Sequence, residues 1–399
     1  MTSKLQATLL DEQAHFKNQT DLYSSIEAKP EYSAHTQAQT DILVFVHLAF
    51  NKNADAWRAA YDDGKLVGIN DKTPYGYGRA ETMGCVIRFP AHHKIGILTR
   101  AIRIILRGLL GFDVVHAWCH RDEFPKADII WTHTESQFLA VAAILLLTGE
   151  NVKLLGQVVW LIDRWKHLSI FHKWLYRKLI SRVDVMTFHS IKNFSQAKRL
   201  FPKSEIRIVP FGIPSEVKKP VKTFKGNELR ILALGNDMHR DWKTLARAVA
   251  DEEQMTLVIL SFTAPRRLVR YGANIDIRAA RNNVELLDEF EKADVVCVPL
   301  KANLHASGLT VIQEAALSGI PIVATDTGGL DLYFSRDEIA YVPVGDVSAL
   351  RRTLRNVIDD PATARARAIA AQARISDSRK YGAQAYIAQH VEISRELLN

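Results

Sequence analysis

The chain has 399 residues, 47% of them hydrophobic and 24% charged, with a formal net charge of +8, a composition typical of soluble globular proteins with two or three domains. Its three cysteines are widely spaced and form no Cys-x-x-Cys motif, which argues against a disulfide framework and favours a reducing compartment. The longest apolar run, residues 138–147, is too short to span a bilayer, and the polar N-terminus has no signal-peptide pattern, so we expect a cytoplasmic protein.

Strand-like apolar runs alternate with helix-like segments along the chain, after a polar stretch over residues 1–39 that predicts a tail or a loosely attached helix. A first series of buried strands is predicted within residues 41–50, 111–118, 127–133, 152–162, 183–190 and 206–213. A second series is predicted within residues 229–236, 255–262, 293–300, 320–325 and 340–346. The helical patterns between them indicate an α/β protein with two doubly wound parallel sheets.

The segment between the two series, residues 214–228, is polar and lysine-rich and contains two prolines and a glycine, as is typical of an interdomain linker. It divides the chain into a first domain over residues 40–213 and a second over residues 229–378. Residues 379–399 predict a terminal helix that packs back on the first domain. Because such sheets bind ligands beyond the carboxyl ends of their strands, the active cleft is expected between the domains.

The stretch HASGLTVIQEAALSGIPIVATDTGGL, residues 305–330, combines a small polar start, an amphipathic helical pattern and a buried strand. Ser307 or Gly308 would cap the helix, where free backbone N–H groups and the helix dipole attract anions. Glu314 lies about two turns farther on, on a face that could hydrogen-bond a ribose. The pattern predicts a phosphate cradle, and an ordinary helix–strand unit with a solvated Glu314 is the alternative.

Part of this stretch, EAALSGIPIVATDTGG at residues 314–329, resembles the nucleotide-sugar segment of GT-B glycosyltransferases, especially family 4 (glycosyltransferases group 1). Three further segments resemble the family and occur in the order that the family has. They are VPFGI at 209–213, LALGN at 232–236 and FEKADVVCVPL at 290–300. The resemblance implies the GT-B fold, in which two Rossmann-like domains face a cleft. It also implies that the first domain binds the acceptor and the second binds a nucleoside-diphosphate sugar.

The resemblance assigns donor-binding roles to residues of the cradle. Glu314 would hold the donor ribose. Backbone N–H groups would receive the diphosphate around Ser307, Gly308, Leu309 and Thr310. One departure is that the acidic residue which family members place against the donor sugar falls here on Ala306 or His305. His305 would replace that acid as a hydrogen-bonding group, and the donor sugar and the stereochemistry of transfer stay open.

Positive charge for the diphosphate is expected from GNDMHRDWKTL, which follows the first strand of the second domain. Gly235 suits a tight turn, and the resemblance places Arg240 and Lys243 against the diphosphate, where they would neutralise the leaving group without a metal. The alternative is a solvated helix start with Arg240 paired to Asp237. Lys301 is a further candidate for binding a phosphate or a uronic-acid carboxylate. Because no Asp-x-Asp motif ends a strand, we expect no metal and no cofactor besides the donor substrate.

The catalytic base is expected from the first domain, facing the donor. Asp163 ends the predicted strand within residues 152–162 and would take the proton of the acceptor hydroxyl in an inverting transfer. A helix N-cap role for Asp163 is the alternative. Glu135 and His133 follow the preceding strand and are the second choices, as base or as acceptor ligands.

The run HAWCHRDE brings residue types that bind metals close together, namely His116, Cys119 and His120, with His133 nearby. A structural zinc site usually needs four ligands at recognisable spacings, which this run does not supply. We therefore expect side chains near the cleft here and no metal site.

Basic residues concentrate in the first domain, where residues 164–207 contain eleven Lys or Arg against two acids, with aromatic residues interleaved. Upstream, the helical pattern of residues 94–111 carries Arg100, Arg103 and Arg107 among bulky apolar residues. Such a helix suits the interface of an anionic membrane. The alternative is a domain helix with a solvated basic edge. No nucleic-acid motif accompanies the charge, so nucleic acid is not an expected partner.

The resemblance implies a glycosyltransferase that takes a sugar from a nucleoside-diphosphate donor. The charge pattern points to a lipid-linked or membrane-proximal saccharide as the acceptor, as in exopolysaccharide or glycolipid biosynthesis. It would work at the inner face of the plasma membrane as a peripheral protein. The alternative is a catalytically inactive sugar-nucleotide-binding or scaffold protein on the same fold.

Overall fold

Two six-stranded parallel sheets organise the chain in a computed structural model, which describes residues 41–50, 52–91, 93 and 95–399. The predicted N-terminal tail over residues 1–39 lies outside the described residues. Helices surround both sheets, so the predicted α/β class with two Rossmann-like domains is confirmed.

The first sheet has the strand order β2-β1-β3-β4-β5-β6, and every neighbouring pair is parallel. Its strands are β1 (Ile42–His47), β2 (Cys85–Arg88), β3 (Ile129–Thr132), β4 (Lys153–Val158), β5 (Val185–Phe188) and β6 (Ile206–Ile208). The α-helices of this domain are α1 (Ala54–Asp62), α2 (Ile97–Leu110), α3 (Val114–Cys119), α4 (Glu135–Thr148), α5 (Leu161–Trp165), α6 (Ile170–Ile180) and α7 (Ile191–Leu200). Short 3₁₀ helices cover Pro74–Met83 and Phe124–Lys126.

The second sheet has the strand order β12-β11-β10-β7-β8-β9 and is also parallel throughout. Its strands are β7 (Leu229–Leu234), β8 (Met255–Leu260), β9 (Ile275–Arg278), β10 (Val295–Val298), β11 (Ile322–Thr325) and β12 (Ala340–Val342). The α-helices that follow are α8 (Trp242–Val249), α9 (Asn283–Lys292), α10 (Leu309–Leu317), α11 (Val347–Asp359), α12 (Pro361–Ile375) and α13 (Gly382–Leu398). A 3₁₀ helix covers Arg266–Tyr271.

Most of the predicted strands form, but the strand predicted within residues 111–118 is wrong. That segment is the short helix α3, whose first turn is capped by the Asp113 carboxylate accepting a hydrogen bond from the backbone N–H of His116. Only His116 and Ala117 of this helix are buried, so its brief apolar run fits one helical turn as well as a strand. The strand predicted over 152–162 ends at Val158, and the rest turns into α5.

The C-terminal helix α13 packs against the first sheet. Its Tyr386, Ile387 and Val391 are buried in the same apolar cluster as β1 and β3 residues. The indole N–H of Trp131 donates to the hydroxyl of Ser394 over 2.9 Å. The end of the described chain is thus part of the first domain's core.

Candidate active site

A cavity of about 430 Å³ lies where the carboxyl ends of the two sheets face each other. The second domain contributes the loop before α10, the first turn of α10 and the side chains of Asp237 and Glu314. The first domain contributes residues from the loops around Ile69 and Tyr75 and from the connections after β3 and β4. The cavity thus occupies the position that two doubly wound sheets provide for a ligand.

The N-terminus of α10 forms one wall of this cavity. Gly308 is the N-cap, with a left-handed φ of 80°, and Ser307, Leu309 and Thr310 line the cavity beside it. The first N–H groups of a helix have no partner within the helix and carry partial positive charge, so this wall favours an anion. A Cβ atom at Gly308 would lie 2.6 Å from Nη1 of Arg240, so only glycine fits.

Arg240 lies directly behind this wall and is 5% exposed. Its Nε donates to the carbonyl of Leu234 over 3.1 Å, whereas its buried Nη1 has no hydrogen-bond partner among the described residues. Burial lowers the pKa of Arg240 to about 10, which leaves the guanidinium charged at neutral pH. The predicted alternative, an ion pair with Asp237, is not among the contacts of the described chain. A charged guanidinium therefore lies under the anion-binding wall.

His305 connects two carboxylates at the same end of the cavity. Its Nδ1 lies 2.7 Å from Asp163 and its Nε2 lies 3.2 Å from Asp237. Burial opposes the charged ring, but the two carboxylates outweigh burial and raise the pKa of His305 to about 9. Both ring N–H groups then donate, and the imidazolium stands where the family has an acid. The hydroxyl of Ser307 also donates to Asp237, over 2.9 Å, and these contacts hold the pKa of Asp237 far below its usual range.

Asp163 lies in the first turn of α5 and joins the first domain to the second. Its carboxylate accepts the backbone N–H of Leu304 over 2.8 Å and that of His305 over 3.2 Å, besides the His305 ring. These bonds outweigh burial and lower the pKa of Asp163. The N-cap alternative for Asp163 is wrong, since Trp160 is the N-cap of α5. Asp163 is absent from the cavity wall of the described chain, so in this arrangement it positions His305.

Glu135 and His133, the second choices for a base, have different environments. The buried carboxylate of Glu135 accepts the backbone N–H groups of Val159 and Trp160 over 3.1 and 3.2 Å, so it fixes the turn after β4 and does not reach the cavity wall. His133 does line the cavity. Its Nδ1 lies 3.0 Å from the hydroxyl of Tyr77, and burial keeps its pKa well below the usual value, so the ring is neutral.

Glu314 lines the cavity and is already bound by a loop of the first domain. Its carboxylate accepts the backbone N–H of Ile69 over 2.9 Å, and burial raises its pKa to about 7. Asn283 at the start of α9 holds the same loop, since its side-chain oxygen accepts the N–H of Gly68 over 2.9 Å and its own N–H donates to Gly64 over 3.2 Å. The loop of residues 64–69, the crossing loop, thus covers the carboxylate predicted to hold the ribose. No motif in the sequence points to it.

Lys243 and Lys301 line a different depression, of about 370 Å³, which Arg240 also lines. They share it with Arg267 and Arg270. The structure therefore does not bring these two lysines to the wall that contains Gly308, whereas Gly235 does lie against the Arg240 guanidinium.

The three arginines predicted to contact a membrane do not behave alike. Arg103 is mostly buried by an ion pair with Asp113 and by the ring of Phe50, whose centroid lies 3.8 Å from the guanidinium carbon. Its inclusion in a membrane-facing set is wrong, because this cation already has an intramolecular anion and ring. Arg100 and Arg107 are exposed on α2.

Residues 230–360, from β7 to α11, match the family profile described as Glycosyl transferases group 1. The matched region contains His305, Gly308 and Glu314, which line the cavity, and Arg240, which lies behind Gly308. The second domain is a group 1 glycosyl transferase domain. The predicted resemblance is therefore confirmed.

Relatives of the group 1 domain agree with this assignment. Glycogen synthase of Mycobacterium tuberculosis is 32% identical over 112 residues, which cover 28% of this chain and 25% of that protein. The chain thus spans about a quarter of the length of the curated relatives that it matches.

Solved structures extend the likeness to both domains of this chain. Sucrose-phosphate synthase from Thermosynechococcus elongatus superposes with a TM-score of 0.68 at 17% identity, covering 89% of this chain and 99% of that one. Anabaena HepE in complex with UDP and glucose superposes with a TM-score of 0.63 at 13% identity, covering 88% and 99%. At these identities the likeness shows the fold, which is GT-B.

Proposed function

We propose that this chain is a glycosyltransferase that takes its sugar from a nucleoside diphosphate. The observation that carries the proposal is the wall of the cavity at Gly308, where the start of α10 lies over a buried guanidinium. No described carboxylate forms an ion pair with this guanidinium, although Asp237 is near enough to raise its pKa, and its Nη1 has no hydrogen-bond partner among the described residues. The solved structures of HepE hold UDP or UDP-glucose, and we extend that ligand class to this chain.

The chemistry at this wall is electrostatic. When the sugar leaves, negative charge accumulates on the diphosphate, and preorganised donors stabilise that charge without reorganising. The first N–H groups of α10, the Arg240 guanidinium and the His305 imidazolium would supply it in this chain. These groups belong to the protein itself, so the proposal keeps the sequence-based expectation that no metal takes part in this step.

Acceptor activation is proposed from the first domain. An inverting transfer needs a base at the acceptor hydroxyl, and Asp163 remains the predicted one. In this arrangement its oxygens are engaged by Leu304 and His305, so it would act as a base only after those contacts open. We propose that in the closed cleft Asp163 positions the imidazolium, while His133 offers a neutral ring to the acceptor.

The acceptor is proposed to be lipid-linked or close to a membrane. Helix α2 has no buried residue, and apolar side chains are exposed along it at Ile97, Leu98, Ile104, Ile105 and Leu109. The start of α6 exposes Ile170, Phe171 and Trp174, and the hydroxyl of Tyr176 on α6 donates to the last carbonyl of α2 over 2.8 Å. Together with exposed Arg100 and Arg107, this α2–α6 surface suits an anionic bilayer.

One property of the described helices bears on where the protein works. None of these described helices is long and apolar enough to cross a bilayer. Contact with the inner face of the plasma membrane, and a place in exopolysaccharide or glycolipid biosynthesis, are therefore proposed from the α2–α6 surface alone.

A second candidate function is sugar-nucleotide binding without transfer. The crossing loop favours it, because the Ile69 N–H occupies the carboxylate that would hold the ribose. The replacement of the family acid by His305 points the same way.

A donor screen followed by a transfer assay separates these functions. Thermal shift with UDP-, GDP- and TDP-sugars selects the donor, and the labelled donor is then incubated with membrane extract. Transfer of label to the lipid fraction is the expected result. Binding without transfer supports the second candidate, and failure of every donor to bind contradicts both.

A further inference from the structure

A cluster of three histidines that could bind a metal ion lies in the first domain, away from the cavity between the sheets. His93, His116 and His120 each place one ring nitrogen within 4.8 Å of a nitrogen of the other two. Two of them come from α3 and its C-cap, and the third from the connection between β2 and α2. None of the three lines the cavity described above.

The geometry of α3 explains why two of the rings meet. His116 and His120 are four residues apart, so they lie on the same face of the helix. Their ring centroids are 5.0 Å apart, and the ring of His93 lies 5.3 Å from the first and 4.9 Å from the second. The arrangement is a triangle of imidazoles of nearly equal sides.

The hydrogen bonding of the three rings is incomplete. Nδ1 of His116, Nε2 of His120 and Nε2 of His93 are buried and have no partner among the described residues. Buried polar atoms are normally satisfied, because an unmade hydrogen bond costs the full desolvation of the group. The ring of His47 packs beside the cluster, with its centroid 4.9 Å from that of His116, and its buried Nδ1 is likewise without a partner among the described residues.

His116 is held in the orientation that a metal ligand needs. Its Nε2 lies 3.0 Å from the carbonyl oxygen of Leu48, which can only accept, so Nε2 carries the proton. A neutral ring then presents the lone pair of Nδ1, the atom without a partner. Metal-binding histidines commonly donate their other N–H to a carbonyl in this way.

From this geometry we propose that His93, His116 and His120 form a zinc site. Three imidazoles with an open fourth position are a known ligand set for Zn²⁺, and imidazole suits this ion. Zn–N bonds of about 2.0–2.1 Å place tetrahedral ligands about 3.4 Å apart, so the nitrogens reach coordination distance by small rotations of the rings. Water would complete the shell on the side of His93, which is partly exposed.

The site ties the connection before α2 to α3, and it does not depend on the proposed transferase activity. The sequence-based expectation of no metal site considered Cys119 and His133 beside the α3 histidines and missed His93. Cys119 is exposed, and His133 bonds to Tyr77 at the cavity. A ligand 23 residues upstream of His116 gives no spacing that sequence analysis recognises.

The test is metal binding by full-length, tag-free protein. Chelator-stripped protein is titrated with Zn²⁺ in a calorimeter, and Co²⁺ is added in parallel to record the visible absorption of a tetrahedral site. Wild type and the His167→Ala control, which changes an exposed histidine outside the cluster, are expected to bind one equivalent. His93→Ala is expected to weaken binding at least tenfold and to remove the cobalt spectrum.

His116→Gln is the second variant and is also expected to lose zinc binding. Its circular dichroism spectrum should match that of wild type, which shows that the loss comes from the missing ligand and not from unfolding. A second group of possible ligands consists of Asp237, His239 and His305. His239→Ala tests whether that group binds the zinc instead, and the variant should still bind one equivalent. Absence of zinc binding by wild type would overturn the proposal. Binding that survives His93→Ala and His116→Gln, or that is lost in His239→Ala, would also overturn it.

Discussion

The Nδ1 atom of His305 lies 2.7 Å from the carboxylate of Asp163, although the two residues are 142 positions apart and belong to different domains. The bond places a charged imidazolium at the wall that is proposed to receive the diphosphate. It is also one of several contacts between the domains, beside the bonds from Leu304 to Asp163 and from Ile69 to Glu314. Both roles of the bond can be measured.

Asp163→Asn separates a positioning role from the role of base. The amide can still accept from the ring, but it has no charge, so the pKa of His305 should fall from about 9. The alkaline limb of the kcat/KM profile should then move to lower pH, with activity retained on the acid side. A loss of about 10²–10⁴-fold at every pH would instead assign Asp163 as the base.

The same ion pairs predict how stability changes with pH. A histidine whose folded-state pKa is raised stabilises the fold fully below its ordinary value of about 6.5 and loses that contribution as the pH rises through about 9. The difference in melting temperature between wild type and His305→Gln should therefore be larger at pH 6 than at pH 9.5. Equal differences at both values would show that the imidazolium does not stabilise the closed cleft.

Glu314→Ala should raise the donor KM strongly and leave the fold intact. The carboxylate is proposed to hold the ribose, and truncation removes that contact while α10 remains packed on both sides. Circular dichroism and donor titration check the two halves of the prediction. A wild-type donor KM would remove Glu314 from the site.

The crossing loop predicts a gain of affinity. The side chain of Asn283 holds this loop at Gly68, and its backbone N–H holds Gly64. Asn283→Ala removes only the bond to Gly68, so it should loosen the loop over Glu314 and lower the donor Kd by several-fold. Val284→Ala is the matched control, because Val284 is the next residue and is 73% exposed. Unchanged or weaker binding in Asn283→Ala would show that the loop does not compete with the donor.

Binding to membranes should depend on the α2–α6 surface. Replacing Ile104 and Ile105 with Ser should abolish sedimentation with anionic vesicles, and neutralising Arg100 and Arg107 should weaken it most at low salt, since charges are screened over about 10 Å at 0.1 M. Arg103→Gln should lower the melting temperature instead, because it breaks the ion pair with Asp113. Unchanged vesicle binding in both the apolar and the basic variants would contradict a role of the α2–α6 surface in membrane contact.

Local patterns account for the parts of the structure that were predicted correctly. Buried parallel strands are short apolar runs, and the start of α10 is specified by Gly308 and the apolar face behind it, all within a dozen residues. The helix at residues 114–119 was mistaken for a strand because one turn of helix is too short to establish its period. Edge strands such as β2 were missed because their residues alternate between buried and exposed without a continuous apolar run.

Contacts between distant segments account for what could not be predicted. The unpaired Nη1 of Arg240 follows from the packing of α8 and α10 around it, and the bond from Ile69 to Glu314 joins residues 245 positions apart. Neither carries a local signature. The place of Lys243 and Lys301, in a depression away from the wall at Gly308, likewise follows from tertiary packing.

Calorimetric titration with the selected nucleoside-diphosphate sugar at pH 7 tests the central claim, that the wall at Gly308 binds a diphosphate with the help of a charged His305. Wild type and the exposed-site control His167→Gln should bind with equal affinity, and His305→Gln should bind at least tenfold more weakly. Equal affinity in His305→Gln, or no binding of any nucleoside-diphosphate sugar to wild type, would contradict it.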